Sequence, residues 1–143
     1  MFSKRLRLSG LGLTIAALAA VGLAGCVTTH GNLESSAERL ERSAVDLQSH
    51  ARNDGSSGYY RDAQEFAAES RDFNRTLEDR RADRDDLQDA FRDLSSRYHA
   101  LRDEVERTHD RDAELDFKPV TEAYLDVERE MRRVGDRDRY AHD

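Results

Sequence analysis

Glu78-Asp79-Arg80-Arg81-Ala82-Asp83-Arg84-Asp85-Asp86 is the stretch on which the fold depends. On both sides of it apolar residues recur at alternating spacings of three and four, the mark of amphipathic helix. If the helical phase continues through it, residues 59–109 form one helix, about 75 Å long at 1.5 Å per residue. That helix would place Arg80 and Arg84 on its apolar seam, with shorter helices packed along its two halves. If the stretch is a turn, the chain folds back and each stripe can be buried inside one molecule. No Gly or Pro interrupts the nine residues, which favours continuation. Their polarity, the matched lengths of the flanking segments and the usual 2–8-residue connections of helical bundles favour a turn. The expectation is therefore all-α, an antiparallel up-and-down four-helix bundle, with the long central helix as the alternative.

Working outward, four segments carry the stripe. The first reads Leu33, Ala37, Leu40, Ala44, Leu47, Ala51, and the second Tyr59, Ala63, Phe66, Ser70, Phe73, Leu77. The third is Leu87, Phe91, Leu94, Tyr98, Leu101, Val105, and the fourth Phe117, Val120, Tyr124, Val127, Met131, Val134. Each leaves its other face to charge. The segments also echo one another: a shift of 26 carries Leu33, Leu40 and Leu47 onto Tyr59, Phe66 and Phe73, and Tyr98 onto Tyr124. Helices are expected at about 32–53, 59–80, 84–109 and 116–134, in a domain spanning 32–136 with a polar tail at 137–143. Asn32 is a candidate cap, Gly55–Gly58 a break, Pro119 a first-turn residue and Gly135 a stop. Glu38–Arg42, Asp93–Arg97, Asp103–Arg107 and Glu128–Arg132 are spaced to pair across one turn.

The apolar residues are unevenly shared: residues 1–25 hold 15 of them. Lys4, Arg5 and Arg7 precede the apolar run Leu11–Leu23, which is shorter than the roughly 20 residues of a stable membrane span. It has the order and length of a secretory signal. The run ends in Leu23-Ala24-Gly25-Cys26, which resembles the lipobox of bacterial lipoprotein precursors. The resemblance covers residues 1–26 only. It implies cleavage between Gly25 and Cys26, diacylglycerol transfer to the Cys26 sulfur and acylation of the new amino terminus, followed by a tether at 26–31. Several acyl chains anchor far more durably than one. Val27 stands where inner-membrane-retained lipoproteins of this type commonly carry Asp, so the analogy implies the periplasmic face of an outer membrane. Removal of the leader also takes 23 cations to 20 against 30 acids, a net charge of −10.

Chemistry-bearing patterns are few. One Cys excludes an internal disulfide or a Cys-rich metal site. There is no nucleophile elbow, no phosphate-cradling Gly-rich loop and no haem-attachment motif. Glu106 and His109 form a Glu-x-x-His pair, the spacing that supplies two ligands from one helix in di-metal bundles, and are the low-ranking metal candidates. A second such pair is missing, so no metal, cofactor or catalytic residue is expected. Nucleic acid is disfavoured by the acidic charge. The expected function is a lipid-anchored, non-catalytic structural or adaptor module with an envelope protein as partner. The alternatives are a chaperone-like client binder and a metal- or ligand-binding bundle; self-association is a further expectation should the stripe be exposed.

Overall fold

The computed structural model describes residues 27–53 and 57–140, with side chains over 32–53 and 58–135. The elements are α1 (Val27–Asn53), α2 (Ser57–Glu78), α3 (Arg84–Thr108) and α4 (Arg111–Tyr140), with no strand among the described residues. They form an antiparallel up-and-down four-helix bundle. Cross-helix bonds fix the directions. Asn74 near the end of α2 reaches Ala37 near the start of α1, and Arg97 of α3 reaches Glu65 of α2. Arg39 of α1 meets Asp126 of α4, while His50, lower on α1, meets Asp116, higher on α4. The α1–α2, α2–α3 and α1–α4 seams are tight, and α3 and α4 approach each other least closely.

The deciding stretch is a turn, and its own carboxylates build it. Asp79 ends the preceding helix: its N–H donates to the Arg75 carbonyl at 3.0 Å and its Oδ1 accepts the Arg81 N–H at 2.9 Å. Asp83 then starts α3 from an extended conformation. Its Oδ1 accepts the N–H groups of Asp85 and Asp86 at 2.9 and 3.0 Å, and Asp86 Oδ2 accepts the Asp83 N–H at 3.0 Å. This reciprocal capping box satisfies helix-end donors that have no intrahelical partner. Asp85 and Asp86 also place negative charge at the positive end of the helix dipole. The turn leaves Arg80 and Arg84 exposed, where a continuous helix would have put both on the seam.

Several expected boundaries move. α4 begins at Arg111 rather than near 116, because Asp110 caps it: Asp110 Oδ1 accepts the Asp112 N–H at 2.9 Å, and the Asp110 carbonyl accepts the Glu114 N–H at 3.0 Å. Pro119 is therefore an interior residue of α4 and not a first-turn one. It is exposed, as is Leu115, whose carbonyl lost its i+4 donor and can bond to water instead. Gly135 does not stop α4, which continues to Tyr140. α2 starts at Ser57 and so takes in Gly58 from the expected break. Helix α1 already runs from Val27, ahead of the Asn32 cap and through the expected tether.

The core follows the stripes closely. All six residues of the first segment are buried, as are Tyr59, Ala63, Phe66, Ser70 and Phe73 of the second. Leu77, Phe91 and Val134 are partly buried instead, and Ala67, Ala113 and Ala123 join the core beyond the stripes. One buried polar group ties α2 to α1: Asn74 Nδ2 donates to the Ala37 carbonyl at 3.4 Å and to Glu41 Oε2 at 2.5 Å. Arg71 reaches the other oxygen of Glu41 at 3.7 Å.

Candidate functional site

Ala37, Ala44 and Ala51 line the two seams of α1, and rings fill the side of α3 and α4. Phe91, Tyr124, Tyr98 and Phe117 form a ladder that alternates between α3 and α4. Successive centroids are 6.3, 3.8 and 5.6 Å apart, with ring planes within 22° of parallel. The two tyrosines are held reciprocally. Tyr98 Oη is 3.3 Å from Thr121 Oγ1, and Tyr124 Oη donates to Ser95 Oγ at 2.9 Å. Each hydroxyl partner lies three residues before the other tyrosine, so the 26-residue shift that relates Tyr98 to Tyr124 also relates Ser95 to Thr121. Burial pushes the Tyr124 phenol above its ordinary pKa, and the Ser95 hydrogen bond offsets part of the rise. Phe66 and Phe73 join the ladder to α2, at 6.2 Å from Tyr98 and 6.1 Å from Phe91. The ladder is core packing with its polar ends satisfied, and presents no open face to a ligand.

The metal candidates are not brought together. His109 lies one residue beyond α3 in the left-handed region (φ 51°), so the helical i,i+3 register assumed for Glu106 and His109 is broken. The His109 ring Nδ1 sits 2.9 Å from the Arg107 carbonyl, whereas Glu106 faces Arg102 at 3.6 Å. Both are exposed. Among the described residues no group of three His, Cys, Asp or Glu is placed to hold a metal ion. A different histidine has a carboxylate partner, His50 Nδ1 at 3.3 Å from Asp116 Oδ2, in an exposed pair between α1 and α4. Gly25 and Cys26 lie outside the described residues.

Arginine and acid cover the outer faces. Arg132 pairs with Glu128 at 2.9 Å, the spacing expected across one turn. Arg97 instead crosses to Glu65 at 2.6 Å, and Arg107 binds Glu104. The Arg102 guanidinium is pushed up by its hydrogen bond to Asp103. Exposed pairs of this kind contribute about 0–1 kcal/mol each, so they keep the faces solvated more than they hold the fold. The sequence reading overlooked Asp83 with Asp86, Asn74, and the hydroxyl partners Ser95 and Thr121. Asp-x-x-Asp before a stripe, and the shared 26-residue offset, were the signals available. No helix among the described residues is long and apolar enough to cross a membrane. A scan against protein-family models, a search of curated proteins and a search of solved structures find no match to this chain.

Proposed function

We propose that the chain is a lipid-anchored envelope lipoprotein whose bundle is a non-catalytic structural or adaptor module on the periplasmic face of an outer membrane. The observation that carries this reading is Leu23-Ala24-Gly25-Cys26 at the end of an apolar run behind Lys4, Arg5 and Arg7. The composition of the bundle agrees with an adaptor role. Its rings are committed to the core, leaving faces of Arg, Asp and Glu to meet an envelope protein. Only Leu115 and Leu125 are large apolar residues in exposed positions among the described residues, which offers little surface for holding unfolded clients.

Cys26→Ser tests the anchor. The variant should lose fatty-acid labelling, keep the mass of the uncleaved precursor and leave the membrane detergent extract free of mature-sized protein. A Cys26→Ser chain that is still membrane-bound and mature-sized would sink the reading. Crosslinking from the outer Asp and Arg positions in intact cells, followed by mass spectrometry, then identifies the partner protein.

A further inference from the structure

Of the four rings in the ladder only Tyr98 and Tyr124 carry hydroxyls, and these two are in the closest contact. Their centroids are 3.8 Å apart and their planes 6° from parallel. Aromatic pairs ordinarily settle with centroids about 4.5–7 Å apart, the range of the ladder's other two steps. The phenols point to opposite helices: Tyr98 Oη donates to Thr121 Oγ1 of α4 at 3.3 Å, and Tyr124 Oη to Ser95 Oγ of α3 at 2.9 Å. The rings therefore overlie each other head to tail, and their facing carbons are in van der Waals contact.

This arrangement suits a specific oxidation. Removing one electron and the hydroxyl proton from a phenol leaves a neutral radical, with its unpaired spin shared among the oxygen, the two carbons beside it and the carbon opposite. In tyrosine the carbon opposite carries Cβ, so coupling falls to Cε. Each proton has a hydrogen-bonded acceptor in the Ser95 or Thr121 hydroxyl, and both of these residues are half-buried at the edge of the bundle. The electrons have a short way out, because the exposed His99 ring lies 5.4 Å from Tyr98 and 6.3 Å from Tyr124. Burial of both tyrosines keeps the phenols of other molecules away, and Phe66, Phe91 and Phe117 around them have none to offer. Each radical therefore meets one partner, the other tyrosine.

We propose that Tyr98 and Tyr124 form a site of oxidative modification, at which two equivalents of a one-electron oxidant join them as an intramolecular dityrosine that locks α3 to α4. One Cε–Cε bond forms, and the hydrogen on each coupled Cε then moves to its ring oxygen, which restores both phenols. In sum two electrons go to the oxidant and two protons to water, and the chain becomes lighter by two hydrogens. The bond ties together the two neighbouring helices that approach each other least closely. A cross-link between residues 98 and 124 also removes freedom from the unfolded chain, which raises stability. The site lies within the bundle and stands independently of the anchor.

The test oxidises the full chain, dilute and in non-ionic detergent, with tris(bipyridyl)ruthenium, visible light and persulfate, which takes the electrons and becomes sulfate. A monomer with dityrosine fluorescence is expected, and proteolysis should release the peptides of Tyr98 and Tyr124 joined and lighter by two hydrogens. Tyr98→Phe and Tyr124→Phe, which keep the rings, should each lose this product with the circular dichroism spectrum unchanged, whereas Tyr60→Phe should retain it. The same treatment in denaturant should give a mixture of tyrosine pairs, with the 98–124 product reduced several-fold. The cross-linked chain should melt at least about 4 °C above the untreated one. Absence of the joined 98–124 peptide from the folded chain, or an equal yield of it from the unfolded chain, overturns the site. A joined chain that melts no higher overturns the locking of α3 to α4.

Discussion

Tyr124 loses its hydroxyl proton late because the folded chain shields it. Its phenol stays protonated above the ordinary pKa of 10.0, chiefly through burial, whereas the unfolded chain ionises at that value. The folded state thus binds the extra proton, and its contribution is complete below about pH 10 and lost as pH rises through the raised folded value. Melting temperature should fall across that alkaline window, less steeply in Tyr124→Phe than in the parent. The same variant should cost about 0.5–1.5 kcal/mol at neutral pH, by denaturant titration, because the bond to Ser95 goes with the hydroxyl. At this scale the stripe positions of the core were legible from spacing, since 3.6 residues per turn dictate which face is buried. Glu130 was not. Its Oε1 accepts from Arg133 of the same helix, and an i,i+3 pair of this kind reads the same in the sequence whether its acid faces solvent or is buried.

Element ends were the less legible part, for reasons found in particular side chains. The helix starts at Arg84 and Arg111 are set by Asp83 and Asp110, two acids among many in a sequence where acid is everywhere. Composition hid the caps; only the hydrogen bonds single them out. Asp83→Ala should therefore lower stability by about 0.5–2 kcal/mol, as loss of an N-cap does, with circular dichroism showing fraying at the start of α3. Pro119 misled in the opposite direction. Its place in a first turn is common, yet α4 here already has a full two turns before it. An interior proline sacrifices one backbone bond, so Pro119→Ala should raise the melting temperature, by up to about 3 kcal/mol of added stability. A fall in melting temperature would mean that a bend at Pro119 is needed to keep α4 against α1.

For the whole molecule, the competition between one long helix and a folded-back pair was decided by five residues. Continuation had helical phase on its side; the turn had Asp79 and Asp83, each binding backbone N–H groups that a continuous helix would keep for itself. Both forms bury the same stripes, between chains for the long helix and within one chain for the folded-back pair. Replacing residues 79–83 with alanine removes the turn's bonds and supplies the best helix former. The expected product is a dimer with α2 and α3 fused and the halves exchanged between chains. Sedimentation should give twice the monomer mass, and small-angle scattering a maximum dimension beyond about 75 Å. A monomer would show that burial within one chain suffices to bend the polar stretch without its caps.

The unequal seams also govern which parts of this sequence can change. α1 presents Ala37, Ala44 and Ala51 at every seventh position and lies close against two neighbours. A larger side chain there has nowhere to go, and overpacking costs about 1–3 kcal/mol. The α3–α4 side is spaced by rings, so one flat residue can replace another and the gap can widen or narrow by a change of ring. Divergence should thus accumulate on the wall of rings while the alanine helix stays fixed. Descendants of this chain would differ most in the breadth of that one side, and least in the helix that follows Cys26.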